Sequence, residues 1–448
     1  MGRSAFTLDL NRCTGCSACR IACELVNDVS AGVHWRSVTT FNEPRWSGAA
    51  VLSYSLSCNH CAAPTCLAGC PAGAYGKDAE TGAVILHREH CIGCRYCAWV
   101  CPYAAPQLDP GTGTMEKCTF CLERQREGGI PACASACPTG ALGFERHDAL
   151  PEPQRTRPPG FPDTGTRPGI RVRARRRADA PPETSLPHAT APPFGWPRPT
   201  LRRGLVAEWP LLTFTFIATV LVAWLTAALL GGPAPDGAAF AGLGALGMAV
   251  SVLHLGRPSR SWRAAFGVRT SWVSREIVAF SAFLGLGTLH LAGALPVRAA
   301  GWAAAALGLA ALVAMDMVYR SRGQEVAAVP HSAMATLTAL YLTAVLLGKV
   351  DLVVVLALAK TALYLLRRLR GQGVRSWLVN GARLGLGMLL PLAAWPAGSA
   401  ALPAALLALV LLGELLDRGE FYAELAFLTP RRQAARDLEI AVLARTST

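Results

Sequence analysis

An α+β domain, an extended linker and an all-α, eight-helix transmembrane domain are what this sequence predicts, on three observations. All sixteen cysteines of the 448 residues fall between Cys13 and Cys137. A proline- and arginine-rich stretch follows them. Beyond about residue 205 the chain is apolar almost to its end. The expected boundaries are a cysteine domain at 1–148, a linker at 149–204, a transmembrane part at 205–420 and a basic tail at 421–448.

The cysteines form four groups of four. These are Cys13, Cys16, Cys19, Cys23; Cys58, Cys61, Cys66, Cys70; Cys91, Cys94, Cys97, Cys101; and Cys118, Cys121, Cys133, Cys137. The first and third read C-x2-C-x2-C-x3-C, the second widens one gap to four residues, and the fourth widens it to eleven. A cubane 4Fe–4S cluster takes four thiolates, three from one wrapping loop and the fourth from a distant group. Four such groups predict four 4Fe–4S clusters with every cysteine a metal ligand. Structural zinc would use isolated C-x2-C pairs, and it explains neither the third cysteine at x2 nor the fourth at x3. Disulfides would need an oxidising compartment and a small loop-rich chain. Proline follows the last cysteine of three groups (Pro71, Pro102, Pro138), whereas Cys23 precedes Glu24.

CTGCSACRIAC matches CIGCRYCAWVC, and CPAGAY matches CPTGAL, so the domain contains a repeat. Ala83–His87 alternates after the turn-forming Glu80-Thr81-Gly82 and reads as a strand. Short strands, Gly/Pro turns and cysteine loops predict duplicated ferredoxin-like units, held together by clusters more than by a large apolar core. The opening residues carry no apolar export segment and no twin arginine.

Residues 1–148 are nearly neutral, with 12 Lys/Arg against 13 Asp/Glu, so the net +14 lies behind them. Residues 149–200 hold 13 prolines and the run Arg171–Arg177. Such a stretch cannot bury enough apolar surface to fold alone. Its arginines read as a solvated strap or an anionic-lipid contact rather than a nucleic-acid site.

Spanning a bilayer takes about 20 apolar residues per helix. Candidate spans are Trp209–Leu230, Ala238–Leu255, Ile277–Leu295, Ala299–Val318, Val329–Leu347, Leu352–Leu366, Val379–Trp395 and Ala401–Leu416. Pro210 suits the first turn of a helix. Loops after spans two, four and six carry twelve arginines, while those after one, three, five and seven carry only Arg298 and Lys349. The positive-inside rule then places both ends and the cysteine domain on the cytoplasmic face of the inner membrane. The competing reading is that some of these arginines dock the cysteine domain.

Ionisable groups inside spans are costly and mark function by default. His254 ends the second span and Glu276 opens the third, both on the arginine-rich side. A quinol loses two protons as it gives up two electrons, and a histidine with a carboxylate suits that task. The structural alternatives are a helix-capping His254 and a Glu276 paired with Arg275 or Arg257. His290, Asp316, His331, Lys360 and Glu414 carry structural readings first, with Glu414 and Arg418 spaced to pair along one helix. Axial haem ligands would have to come from His254, His290 and His331, no two of which share a span at facing positions.

On these motifs the chain resembles two subunits of a dimethyl-sulfoxide-reductase-type complex joined end to end. Residues 1–148 resemble the family's four-cluster electron-transfer subunit through the cysteine spacings and the ending CPTGALGFE. The resemblance implies that the first and fourth groups share two clusters, and the second and third share two. A complete cysteine set around Cys94 then favours four cubanes. FPDTGTRPGIRV looks like the tail such subunits lay across their partners. From Glu208 the chain resembles the eight-span anchor subunit, through EWPLLTFT, HLGRP, SREI and GELLDRGEFY. The family's quinol-associated histidine falls on His254 and its quinol-side glutamate on Glu276. Menaquinol or another quinol is therefore the expected donor, and the quinone pool, the lipid bilayer and a separate molybdopterin-containing catalytic subunit are the expected partners. Two alternatives stay open: a wire running from a dehydrogenase into quinone, and a membrane-tethered polyferredoxin with no quinol site.

Overall fold

A computed structural model describes residues 3–41, 51–147, 165–173, 201–320, 330–369, 377–395 and 402–425. The head runs β1 (Arg3–Asp9), α1 (Ala18–Asn27), β2 (Arg36–Phe41), β3 (Leu52–Ser57), α2 (Thr65–Gly69), β4 (Tyr75–Lys77), β5 (Val84–Leu86), α3 (Tyr96–Trp99), β6 (Gln107–Asp109), β7 (Thr114–Glu116), α4 (Leu122–Arg126), α5 (Ala132–Ser135), β8 (Leu142–His147) and β9 (Ile170–Arg173). β1 lies between β8, antiparallel with Phe6 opposite Phe144, and β9, parallel with Phe6 opposite Ile170. Three two-stranded ribbons, β2–β3, β4–β5 and β6–β7, connect the cysteine loops. The expected strand after Gly82 is β5.

The helices of the head are a turn or so long, apart from α1. They survive because aromatic packing and cysteine loops fix them, since short isolated helices are marginal in water. Phe6 and Leu8 point to one face of β1, as a two-residue period dictates, and both are buried. Phe120 stacks on His60 with centroids 4.2 Å apart and meets Phe6 at 4.8 Å. The head does not stop at residue 148. Ile170 is buried against β1, and the carbonyls of Thr166 and Arg167 accept from the amides of Ala63 and Ala62. Part of the stretch read as linker thus completes the head's sheet, because β1 offers an edge and Ile170 an apolar side chain to cover it. Most of the arginine run lies outside the described residues.

The second part is helical: α6 (Leu201–Leu229), α7 (Gly237–Val252), α8 (Trp272–Leu291), α9 (Arg298–Val318), α10 (Ala335–Leu346), α11 (Val350–Leu369), α12 (Trp377–Gly381), α13 (Leu390–Ala393) and α14 (Ala404–Glu424). α6 begins four residues inside the expected linker, and α14 runs four residues into the expected tail. α6 breaks at Glu208 (φ −127°, ψ 22°), where the ring of Pro210 disturbs the preceding turn. Between α12 and α13 a wide turn, Ala382–Leu389, carries Arg383 into the interior. Such widened turns are frequent at functional sites. Glu208–Leu229 and Arg298–Val318 are long and apolar enough to cross a membrane, and Gly237–Val252, Ala335–Leu346 and Leu378–Ala393 are shorter apolar helices.

The head rests on the helical part through backbone contacts. The amides of Gly256 and Arg257 donate to the carbonyls of Gly93 and Ile92 at 3.4 and 3.1 Å, and Gly267 N donates to Pro71 O at 2.9 Å. Arg257 Nε donates to Thr112 O at 2.6 Å, and Arg260 Nη1 to the carbonyls of Arg88 and Cys91 at 3.0 and 3.1 Å. Two loop arginines therefore hold the head, as the competing reading of the basic loops requires. Gly93 and Gly113 both have positive φ, and a β-carbon on Gly256 would overlap the Gly113 backbone. Gly256→Val is expected to cost about 1–3 kcal/mol of docking through overpacking. Hydrogen exchange of residues 92–96 should accelerate in that variant relative to the parent.

Candidate functional site

Left-handed residues recur in the cysteine loops of the head. Gly15, His60, Gly93 and Phe120, each just before the second cysteine of its group, all have positive φ. This conformation turns the chain around the thiols. Backbone amides then point at sulfur: Gly93 N and Met115 N donate to Cys91 Sγ at 3.4 Å, Phe120 N to Cys118 Sγ at 3.3 Å, Ala74 N to Cys70 Sγ at 3.3 Å and Leu142 N to Cys137 Sγ at 3.3 Å.

The last two cysteines of every group are four residues apart. About one helical turn therefore separates them, and they face different neighbours. Cys13, Cys16, Cys19 and Cys137 line one cavity. Burial, then the nearby Cys133, push the Cys23 thiol up to about 12, and Cys118 feels Cys23 and Cys133 as well as Cys58 of a neighbouring set. Cys61 and Cys66 both sense Cys58 and Cys101. Burial, then Cys70, push Cys94 up to about 12, and Cys97 senses Cys94, Cys70 and Cys91. The thiols thus fall into four mixed sets: 13/16/19/137, 23/118/121/133, 58/61/66/101 and 70/91/94/97.

All sixteen cysteines are free of disulfides. Among the described residues no three His, Cys, Asp or Glu side chains converge tightly enough to hold one bare metal ion. Four thiols set around a larger volume, with amides aimed at sulfur, are what an iron–sulfur cube needs. The residues present fit that group.

The set 70/91/94/97 is the one against the helices. Cys70 and Cys94 pack with Ala72, Ile92, Leu255, Ala264 and Ile277. Ser271 Oγ and Ser274 Oγ donate to Gly69 O and Pro71 O at 2.8 and 3.3 Å. Tyr96 Oη donates to Val318 O at 3.1 Å. Burial, then the Glu276 carboxylate, push the Tyr96 phenol up. Arg95, next to Cys94, is an electrostatic neighbour of His254 and of Glu208. One loop thus lies within electrostatic reach of both His254 and Glu276.

His254 is half-buried, and its Nδ1 contacts Ser251 O, so the ring also closes the end of α7. Glu276 is buried. Arg275 donates to the carbonyls of Val268 and Arg269 and Arg257 to Thr112, so neither pairs with Glu276 among the described contacts. Glu276 instead faces Arg418 and Asp316. Near it Tyr319 and Tyr422 share a 2.7 Å hydrogen bond, and Arg418 Nε donates to Thr215 Oγ1 at 3.1 Å. His290 bonds Leu295 O at the far end of α8, and Asp316 caps α10 by accepting from the Ala335 and Thr336 amides.

Glu414 does not pair with Arg418. It lies 3.1 Å from both Lys360 Nζ and Arg383 Nη2, and Arg383 also reaches Asp417 at 3.1 Å. Ser332 Oγ donates to Asp417 at 2.7 Å. These four charges are almost wholly buried, and such charges persist only when paired. The i,i+4 rule holds for exposed helix faces, whereas a buried carboxylate takes whatever cation shares its interior. Arg95, Tyr96, Tyr319, Tyr422 and Arg383 went unseen in the sequence, since spacing along the chain does not reveal which distant elements they meet.

Two family models match: a 4Fe-4S dicluster domain over residues 49–147 and the DMSO reductase anchor subunit over residues 238–376. A component of the anaerobic dimethyl sulfoxide reductase of Haemophilus influenzae is 42% identical over 159 residues, which are 34% of this chain and 77% of that protein. Its Escherichia coli counterpart is 40% identical over 153 residues, 32% of this chain and 74% of that protein. A component of the sulfite dehydrogenase of Allochromatium vinosum is 34% identical over 170 residues, 33% of this chain and 71% of that protein.

Cys137→Ser and Cys13→Ser should each lower iron by roughly a quarter, and the double variant should lose no more than either single one. Iron assay of anaerobically purified protein checks this. Lys360→Met should cost about 3–5 kcal/mol by stranding buried carboxylate charge, while adding Glu414→Leu should recover part of it in thermal unfolding.

Proposed function

The protein is a member of the dimethyl sulfoxide reductase family, its iron–sulfur subunit and membrane anchor joined in one polypeptide, and on that premise we propose that it oxidises menaquinol or another quinol and passes the electrons to a separate molybdopterin-containing catalytic subunit that reduces an S- or N-oxide. One observation carries this reading: the Cys94–Cys97 loop rests on the anchor, with Cys70 and Cys94 packed against Leu255 and Ile277, Arg95 an electrostatic neighbour of His254 and Tyr96 one of Glu276. Thiols that can hold a redox group and side chains that can hold protons adjoin there.

The four mixed thiol sets would hold four 4Fe–4S clusters, which supply one-electron transfer when bound. Glu276 accepts one quinol proton and His254 the other, each at the head-side edge of the membrane. Arg95 and Arg418 stabilise the negative charge left behind, and Tyr319 and Tyr422 orient the polar wall of the site. Ala72, Ile92 and Ala264 exclude water between the thiols and the anchor. All eight helical passes cross the inner membrane in this reading. The head faces the cytoplasm, a side favoured by the basic loops even though Arg257 and Arg260 also dock the head.

The reverse direction, from a dehydrogenase into quinone, is favoured by the relative named for sulfite oxidation. Cluster midpoints well below the quinol couple would select it. Glu276→Gln with His254→Gln should slow quinol-driven cluster reduction at least about 100-fold, the scale of general-base catalysis, while dithionite still reduces the clusters fully. Unchanged quinol-driven rates would instead support a tethered electron carrier with no quinol site.

A further inference from the structure

Arg36, at the start of β2, is only 1% exposed. Its Nη1 donates to Ser55 O at 3.2 Å and Ser55 Oγ at 3.0 Å, and its Nη2 to Ser57 Oγ at 2.9 Å. The guanidinium carbon lies 4.6 Å from the Phe6 ring centroid. Its Nε, also buried, has no hydrogen-bond partner among the described residues. No carboxylate forms an ion pair with it among the described residues. A buried cation left without a counter-charge is strongly destabilising, so the balancing charge must come from elsewhere.

The charged neighbours of Arg36 are thiols: Cys133, Cys118, Cys19 and Cys23. They belong to two different sets. Of these, Cys133 is the thiol most strongly coupled to the Arg36 charge. Ser55 Oγ, which accepts from Arg36, lies 3.1 Å from Cys19 Sγ. Lys117 repeats the arrangement one step along. It is 3% exposed, its Nζ donates to the carbonyls of Val84 and Cys118, and its charge is felt by Cys66, Cys101 and Cys118. A buried cation thus stands at each of two junctions between neighbouring thiol sets.

We propose that Arg36 is a positioning residue for electron transfer, a fixed buried cation shared by the 13/16/19/137 and 23/118/121/133 sets that raises the reduction potentials of the groups both sets hold. The proposal rests on the reading of those sets as iron–sulfur cradles, where each thiol stands for a thiolate sharing its cluster's negative charge. Reduction adds one electron and no proton to such a group. A nearby positive charge in a low-dielectric interior favours that added charge, and because Arg36 is a charged neighbour of thiols in both sets it keeps their potentials from drifting apart.

The test is an anaerobic redox titration of the full-length protein, followed by electron paramagnetic resonance, with iron assayed on the same samples. Arg36→Met should keep the parent's iron content. At the potential where the parent's signals are half reduced, its ratio of reduced to oxidised protein should fall about tenfold, a shift of about 59 mV for one electron. Arg36→Lys should restore most of that ratio. Unshifted signals in Arg36→Met at parental iron would overturn the proposal. If Arg36→Met loses iron, Ser55→Ala decides: it keeps the cation but cuts the link to Cys19, so one signal should move toward lower potential, and no movement counts against the idea. Parent protein that holds no iron overturns the cradle reading itself, which is a different failure.

Discussion

Gly93, Gly113 and Gly256 meet backbone to backbone, and the closeness they permit between head and anchor sets what lies around it. Side chains at these positions would force the two parts apart, because Gly93 and Gly113 also need a positive φ that other residues adopt at a cost. With the glycines in place, the amides of Gly256 and Arg257 reach the cysteine loop, and Arg257 and Arg260 cover carbonyls that would otherwise be lost at the interface. The loop then brings Arg95 and Tyr96 within electrostatic reach of His254 and Glu276. In the proposed quinol oxidation, a redox centre and two proton acceptors would be useful to each other only at such range.

Inside the anchor a second constraint works against ordinary membrane energetics. Lys360, Arg383, Glu414 and Asp417 stand buried among apolar helices, and each would be costly alone. The wide turn at Ala382–Leu389 lets Arg383 reach two carboxylates at once, and Gly387 against Gly413 brings that turn onto α14. The helix α14 that carries both carboxylates also carries Tyr422 and Arg418 beside Glu276. The ionic cluster therefore fixes the register of α11 and α14 against the wall of the site. Its two cations and two carboxylates balance, which suits a clamp.

Much of this was legible in the sequence, where chemistry repeats at short range. Four cysteine quartets with prolines behind them announce cluster loops, and apolar stretches fall where the helices are. His254 and Glu276 stood out because ionisable residues are costly within apolar spans. Other features are invisible to spacing. Arg36 lies in an ordinary-looking strand, and only the folded ribbon shows it among thiols from two sets. Ile170–Arg173 sits in a proline-rich stretch that reads as linker, yet the free edge of β1 makes it a strand. Glu414 and Arg418 have the spacing of a helix pair, but burial hands Glu414 to Lys360 and Arg383.

The proposal stands on quinol oxidation beside His254 and Glu276 beneath the Cys94 loop, and the most direct measurement is made on the purified protein alone. Reduced menaquinone is added without oxygen, and the iron–sulfur absorbance is followed with no catalytic subunit present. The account predicts bleaching with a quinol dependence that saturates. Protein that dithionite bleaches but quinol leaves oxidised at every concentration would contradict it.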